Sequence, residues 1–515
     1  MSLRPALPTS IGLASVLILL TSCSVGPDYV KPTVPEPTSY KEAGKWKKAE
    51  PRDEISKGTW YTVFHDKQLN DLESKAVVSN QNLRAAIARV STARALARET
   101  EAAFFPTLNG SVTGARQTTS PYDGAAMAQL GGTAPRNFYT SATAIPFDLS
   151  YEVDIWGKVR RGFEQAGDKA QASLAEYENI LLGLKADVAT DYYALRTADS
   201  EIDVQRRTIK EYQSALDLTN SRFKGGISTE LDVQQALATL AAAQAQLASL
   251  DANRAKLEHA LAVLLGVPPE GFSIAYNPLG NYTPPAIPPG VPSDLLERRP
   301  DVAAAERTVA AQNAAIGVAI AAFFPTVNLT GQTGFDSGDL GMLFNWQSRI
   351  WSYGPNIQFP IFQGGQISAT VKQQRATYEE NVAQYRQQVL VAFQDVDDSL
   401  SSLRFLAQQQ QAEDRAYAAY NKALQLTNDR YTTGLVSYFD VIQAENLALA
   451  AEQLTVQIRG DRVATTIQLI KALGGGWADS YITQADHGDH VASPDAAPTV
   501  LPSKTPSATS NASTK

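Results

Sequence analysis

Apolar and polar positions alternate with period two in four short stretches of the chain. From Ile145 the odd positions are Ile145, Phe147, Leu149, Tyr151, Val153 and Ile155, while Asp148, Ser150, Glu152 and Asp154 fill the even ones. A second set places Val327, Leu329, Gly331, Thr333 and Phe335 against Asn328, Thr330, Gln332 and Gly334. Tyr353, Ile357, Phe359 and Ile361 stand against Asn356 and Gln358, and Leu108, Gly110, Val112 and Gly114 form a weaker version. The alternation predicts strands near 107–115, 144–156, 326–335 and 353–362. One apolar and one polar face fits a barrel with lipid outside and water inside. It fits equally a soluble antiparallel sheet with one solvated face. In hydrocarbon, four strands leave open edges whose N–H and C=O groups have no partner, and small single-chain barrels begin at about eight strands. If these strands enter a membrane, several chains share one barrel.

Most of the remaining chain is rich in Ala, Gln, Leu, Glu and Arg and predicts helices. They run from Leu69 to Ala103, Val159 to Arg222, Glu230 to Leu265, Asp301 to Ala322, Ile367 to Arg430 and Phe439 to Leu473. The second is on the order of 95 Å long at about 1.5 Å per residue, a length that calls for coiled-coil packing against neighbours. Beyond the amino terminus no window approaches the roughly 18 apolar residues of a transmembrane helix.

The pattern also repeats. Ala102-Ala103-Phe104-Phe105-Pro106-Thr107 recurs as Ala321-Ala322-Phe323-Phe324-Pro325-Thr326, in each case where a helix meets Pro and a strand begins. Residues 215–236 match residues 423–444 at 11 of 22 positions, enough to show a duplication. The halves are joined by 268–300, which holds nine prolines and reads as an extended connector. Gly226 and Gly434 fall where each long helix turns back, and supply the positive φ of a tight turn. Asp232 and Asp440 open the returning helices, where the helix dipole favours a carboxylate.

Composition narrows the chemistry. A net charge of −8 argues against a phosphate-tracking surface, so nucleic acid is not an expected partner. One Cys rules out an intrachain disulfide and a multi-thiolate zinc site, and the four His are scattered without an H-E-x-x-H pair. No phosphate loop or nucleophile elbow is present. Gly474-Gly475-Gly476 reads as a helix stop, and D-H-G-D-H (486–490) precedes a Pro/Ser/Thr/Ala tail that reads as disordered. No catalytic residue, metal site or cofactor is expected.

At the amino terminus, Arg4 precedes an apolar run from Ile11 to Leu20 and then Thr21-Ser22-Cys23, the layout of a secretory signal over residues 1–22. Its removal takes away only Arg4 and brings the charge from −8 to −9. Leu20-Thr21-Ser22-Cys23 resembles a bacterial lipobox, which implies that Cys23 carries a diacylglycerol and an N-acyl chain. Ser24 in place of Asp implies sorting to the outer membrane.

Several stretches together resemble the TolC-type outer-membrane factor family, in its OprM/NodT-like lipoprotein branch. They are C-S-V-G-P-D-Y-V-K-P (23–32), the Trp60/Phe64/Asp66/Leu69 region, D-I-W-G-K-V-R-R (154–161), L-L-E-R-R-P-D-V-A-A-A-E-R (295–307) and I-G-V-A-I-A-A-F-F-P (316–325). The resemblance implies an α+β membrane protein: a homotrimer with a shared twelve-stranded β-barrel over a long α-helical periplasmic barrel. It divides the chain into the signal, a lipidated and equatorial segment at 23–68, a first repeat at 69–267, the connector at 268–300, a second repeat at 301–475 and a tail at 476–515. The implied function is the outer-membrane channel of a tripartite efflux system, a passive exit duct working with a periplasmic adaptor and an inner-membrane RND-type transporter. A duct for type I protein secretion and a non-pore periplasmic coiled-coil lipoprotein are the alternatives. The family further implies adaptor docking at Gly226, Ile227, Ser228 and Thr229 and at Gly434, Leu435, Val436 and Ser437. It implies a pore gate at Asp232, Asp440 and Tyr431, with Asp440 contributing an acidic ring. Gln443 stands where a second acid is often found, and Val436 replaces a basic residue of some relatives. Trp346, Trp351 and Tyr353 are candidates for an aromatic girdle.

Overall fold

The computed structural model describes residues 24–34, 37, 40–41, 59–119, 138–287 and 299–475. Cys23, the signal and the tail therefore lie outside the described residues, as does part of the connector.

Seven α-helices and one sheet make up the described chain: α1 (Lys67–Ser79), α2 (Gln81–Glu101), β1 (Thr107–Gly110), β2 (Thr113–Thr119), β3 (Phe138–Val153), α3 (Lys158–Lys224), α4 (Glu230–Leu264), α5 (Pro300–Ala321), β4 (Thr326–Ser337), β5 (Arg349–Gln358), α6 (Gln366–Thr432) and α7 (Tyr438–Ala472). The two halves repeat the order short helix, strands, 67-residue helix, 35-residue helix. Each 67-residue helix is about 100 Å long. Among the described residues no helix is long and apolar enough to cross a membrane.

Four expectations need correction. The strand expected near 107–115 is split into β1 and β2 and runs on to 119, and the one expected near 144–156 is β3, which begins at Phe138 and ends at Val153. The single helix expected from Leu69 to Ala103 is broken at Asn80, whose ψ of 127° is extended and whose side chain accepts from Leu83 N. The break is clamped to the end of α4, because Asn80 Nδ2 donates to the Leu264 carbonyl at 2.8 Å. The strand expected at 353–362 instead spans 349–358, and its last alternating residues, Phe359 and Ile361, flank Pro360, which has no N–H for a ladder.

All the described strands lie in one antiparallel sheet, ordered β1–β3–β4–β5 with β2 also on β3. β1 and β2 are one strand in register, since Gly110 pairs with Phe147 and Thr113 with Ala144. The interruption falls where Ser111 N donates to the Pro146 carbonyl at 3.1 Å and Pro146 has no N–H to return. On its other side Pro146 faces Gly334, where a Cβ would come within 2.2 Å of the Ile145 carbonyl oxygen. Four strand positions therefore span the sheet. Its registers put Leu108, Leu149, Gly331 and Tyr353 on one row and Asn109, Asp148, Gln332 and Ser352 on the next. The apolar face carries Phe147, Leu149, Leu329, Trp351 and Ile357, all exposed in the single chain. On the polar face Gln332 Nε2 donates to Asp148 Oδ1 at 2.8 Å.

Sheet and helices meet at a strap formed by residues 24–34. Val25 N donates to the Trp156 carbonyl, Asn313 Nδ2 donates to the Pro27 carbonyl, and Arg161 pairs with Asp28 at 2.7 Å. Tyr29 donates its hydroxyl to Glu306. The crossing is tight enough that a Cβ on Gly26 would lie 2.5 Å from Gly317 Cα. Trp156 stacks on Phe324 and donates to the Pro325 carbonyl. Arg299 ties α5 to α6 and α7 by pairing with Asp301 and Asp395 and donating to the Ala472 carbonyl.

The main core lies midway along the helices, where Trp60, Phe64 and Leu69 pack on Leu195 of α3, Val389 of α6 and Ile467 of α7. Asp66 caps α1 by accepting from Gln68 N and Leu69 N, and also takes the Tyr192 hydroxyl. The connector is strapped to α3: Arg196 Nη1 donates to the Ala275 carbonyl, and Asn277 N donates to buried Asp199.

This core encloses a carboxyl group. Glu73 of α1 is 0% exposed, and neither of its oxygens has a hydrogen-bond partner among the described residues. Burial pushes its pKa up to about 9, against the opposing pull of the Lys185 charge. The folded chain thus holds a proton that the unfolded chain releases near 4.5. The associated stability is fully present below that value and is lost as pH rises toward about 9. Glu73→Gln removes this dependence, so its melting temperature is expected to exceed that of the parent increasingly from pH 5 to pH 9. Parallel melting curves across that range would show an ionised Glu73 in the fold.

Candidate functional site

The two helical turns farthest from the sheet are built alike. At the first, Gly226 has φ +73°, its N–H donates to the Phe223 carbonyl and Ile227 N donates to the Arg222 carbonyl. At the second, Gly434 has φ +79°, with Gly434 N on the Tyr431 carbonyl and Leu435 N on that of Arg430. Both are Schellman stops. A Cβ at either glycine would meet nothing within 4 Å, so the requirement is backbone conformation rather than space.

The next residues start the returning helices. Thr229 Oγ1 accepts from Asp232 N at 3.3 Å, and Asp232 Oδ2 accepts from Thr229 N at 2.9 Å, a capping box. Ser228 and Thr229 also donate their hydroxyls to Asp232. At the second turn Ser437 donates both its N–H and its hydroxyl to Asp440 Oδ2. These bonds hold both carboxyls below the ordinary range: backbone and hydroxyl donors from Thr229 for Asp232, and the Ser437 hydroxyl and N–H, with help from the Arg430 charge, for Asp440. Ile227 is 79% exposed and Leu435 70%, while Val436 is half-buried and packs inward.

A small second core joins the turns. Tyr212 and Leu216 of α3 and Ala236 and Leu240 of α4 pack with Tyr431 of α6 and Tyr438 and Val441 of α7. Tyr431 sits 5.6 Å from Tyr438, ring to ring. The Arg222 guanidinium lies over the Tyr431 ring at 4.3 Å and donates to the Tyr431 and Thr432 carbonyls, each at 3.4 Å. Among the described residues, no hydrogen bond links the Tyr431 hydroxyl to Asp232 or Asp440. The structure therefore brings Tyr431 together with Arg222, while each aspartate serves its own turn. Sequence reasoning missed Arg222, Tyr212 and Tyr438. The available signal was the Leu-Thr-Asn-x-Arg that occurs in both repeats, ending at Arg222 and at Arg430.

The family is settled by comparison with known proteins. The sequence profile of the outer membrane efflux protein family matches residues 72–267 and 291–475, one stretch in each repeat. The chain belongs to that family. The solvent efflux pump outer membrane protein SrpC of Pseudomonas putida is 33% identical over 473 residues, covering 90% of this chain and 97% of its own length. The cation efflux system protein CusC of Escherichia coli O6:H1 is 31% identical over 467 residues, covering 90% of this chain and 97% of CusC. Among solved structures, the outer-membrane channel OprN matches with a TM-score of 0.80 at 29% identity, over 88% of this chain and 100% of OprN. The CmeC outer membrane channel of Campylobacter jejuni matches with a TM-score of 0.82 at 25% identity, over 90% of this chain and 97% of CmeC. The fold is TolC-like, and this outer membrane efflux protein is the outer-membrane component of an efflux system, extending into the periplasm.

The capping geometry gives a direct test. Thr229→Ala is expected to loosen the first turn of α4 by about 1 kcal/mol. Hydrogen exchange at the amides of Leu231, Asp232 and Val233 should then run about fivefold faster, and unchanged exchange would refute the cap.

Proposed function

We propose that three copies of this chain form the closed exit duct of a tripartite efflux pump, with an adaptor and an RND-type transporter on the periplasmic side. One observation carries the reading. Among the described residues the sheet has an apolar outer face and two unpaired edges, the β1/β2 edge and the β5 edge, which hydrocarbon does not tolerate. Joining β5 of one copy to β1/β2 of the next, three times around, gives twelve strands with every interior edge paired. Trp346, exposed in the turn just before β5, suits the headgroup level, while Trp351 and Tyr353 are exposed within β5 on the apolar face.

The duct moves solutes without a reaction of its own. Its lumen is lined by the polar face of the sheet, with Asn109, Asp148, Asn328, Gln332 and Asn356. The helical turns form the periplasmic entrance, where exposed Ile227 and Leu435, with Gly226, Ser228, Thr229, Gly434, Val436 and Ser437, offer the adaptor its docking surface. Three Asp440 carboxylates converge there as a singly acidic ring, since Gln443 takes the next turn. Relatives of similar identity are named for solvent and for cation efflux, which supports assigning cargo choice to the pump rather than to the duct.

The lipid on Cys23 belongs to the same reading. Ser24 lies against Gly157, where a Cβ would come within 2.5 Å of Ser24 Oγ, at the base of the sheet between β3 and α3. Acyl chains on the preceding residue would enter the membrane at the barrel rim.

Two measurements test this. Protein extracted from outer membranes in mild detergent should run as a trimer and conduct in planar bilayers, and a monomer would overturn the reading. Asp440→Asn keeps an acceptor for Ser437 but removes the charge, so cation-over-anion permeability is expected to fall toward unity. The parent's preference should persist as pH is lowered to about 5, because a carboxyl with a depressed pKa stays ionised above it. Identical reversal potentials for parent and variant would refute the ring.

A further inference from the structure

We propose that the entrance is closed by a ring of arginine–aromatic contacts that alternates within and between chains: Arg222 on Tyr431 in each copy, and Arg430 on Phe223 of the next copy. The proposal rests on the trimeric duct described above, and it names what holds that duct shut.

The intrachain contact is on view. Arg222, near the end of α3, lays its guanidinium 4.3 Å from the centre of the Tyr431 ring and donates to two carbonyls at the end of α6, Tyr431 and Thr432. It therefore ties the end of one long helix to the end of the other. A planar cation that both stacks and donates suits this task, since a helix end exposes unpaired carbonyls and an aromatic face attracts the charge. The Tyr431 ring packs at a tilt of 47° against Tyr438, and the residue is 8% exposed, so the surface beneath the guanidinium is fixed.

The interchain contact follows from the repeat. Arg222-Phe223 and Arg430-Tyr431 occupy the same two places in the matching segments 215–236 and 423–444, ahead of the same Schellman stop. In a closed ring the turns alternate, first repeat then second repeat, so each Arg has an aromatic residue of the following turn in front of it. Arg222 meets its partner inside the chain. Arg430 has no following turn within the chain, and Phe223 has no preceding one. Both are exposed, Phe223 at 43%, although a phenylalanine at a helix end gains nothing from water. A second copy supplies what each lacks. The aspartates then have a separate role: Asp232 and Asp440 keep the turns folded and charge the entrance, and the arginines close it.

The test uses the full-length lipidated protein. Arg222→Ala, Arg430→Ala and Tyr431→Leu should each raise the frequency of full openings in planar bilayers. One such contact is worth a factor of about 2–5, so losing three by symmetry multiplies to roughly 10- to 100-fold. Cells carrying these variants should become sensitive to a large glycopeptide antibiotic. Tyr431→Phe keeps the ring and should stay as quiet as the parent, whereas a leaking Tyr431→Phe would assign closure to the hydroxyl and overturn the proposal. Arg222→Lys, a point charge without a plane, should fall between Arg and Ala. For the interchain arm, Phe223→Cys with Arg430→Cys should give covalent dimers and trimers with a short bifunctional thiol reagent. Phe223→Cys alone controls for Cys23. Cross-links confined to single chains would overturn the interchain half. Trimers that form normally and stay quiet in Arg222→Ala refute the closure mechanism alone, whereas the absence of any trimer refutes the duct and the ring together.

Discussion

A hydrogen-bonded sheet cannot end in hydrocarbon. Each unpaired N–H or C=O there costs several kcal/mol, and a strand edge presents a row of them. The described residues carry one sheet of four strand positions with both edges open and one face apolar, so this membrane part is a fraction of a closed object. The same incompleteness runs through the helices. Two 67-residue helices cannot be kept straight by propensity alone, and their main described cores are two separate patches, one midway and one at the turns, with a small alanine contact between α3 and α5 besides. Between them the helices meet through a few buried apolar side chains, among them Ile202, Val204 and Ile458, and through small and polar groups. A Cβ on Gly460 would lie 2.5 Å from Thr197 Oγ1, Gln205 donates to the Ala243 carbonyl, and Arg207 pairs with Glu452. Contacts of this kind set register and spacing, and leave polar faces along the length of the tube.

The strap at residues 24–34 is where barrel and tunnel are fixed to each other. It runs between the β3–α3 junction of the first repeat and α5 of the second, and hydrogen bonds to both. Gly26, Gly157 and Gly317 let three backbones meet at distances that no side chain allows, and Trp156 stacked on Phe324 closes the gap beside them. Four of the five stretches that carried the family resemblance place residues in this junction or its helices. The resemblance was therefore legible through the residues that bear the tightest steric demands. The strap's first described residue, Ser24, meets Gly157 at the base of the sheet, a position that suits the lipid anchor proposed for the preceding residue.

How much of this could be read from the chain follows from which interactions are local. Period-two alternation and the two Phe-Phe-Pro stops placed four strand positions, and the Ala- and Gln-rich runs gave the long helices to within about two residues at most ends. The glycines and aspartates at the turns were legible because Schellman stops and capping boxes are written within six residues. The break at Asn80 was not. It depends on the Leu264 carbonyl, 184 positions away, accepting from Asn80 Nδ2, and helical periodicity on its two sides is nearly continuous. The interrupted β1/β2 strand was missed for a related reason, since Pro146 is the partner strand's residue. Arg222 was overlooked because a basic residue in the last turn of a helix has a sufficient local explanation in the helix dipole. Only the fold shows an aromatic ring from the other repeat beneath it.

Duplication links these features. A chain made of two similar hairpins, repeated three times around an axis, approximates six equivalent staves, so any contact between successive turns is made once inside a chain and once between chains. In the proposed ring, half of the closing interactions are built when each chain folds and the other half when the chains assemble, so a closed entrance would be the default state of a finished trimer. Each contact remains weak, because an exposed cation over a ring contributes little in water. The ring as a whole responds cooperatively, since moving one turn strains its neighbours on both sides. Arg430 sharpens this balance. Its charge helps hold Asp440 ionised beside the Ser437 donors, so the cation proposed to reach toward the next copy also faces the proposed pore acid. A partner that draws Arg430 away from its neighbour leaves that acid in place while it loosens the ring. Opening and cation preference are thereby coupled through one side chain, with no moving part larger than a helix end.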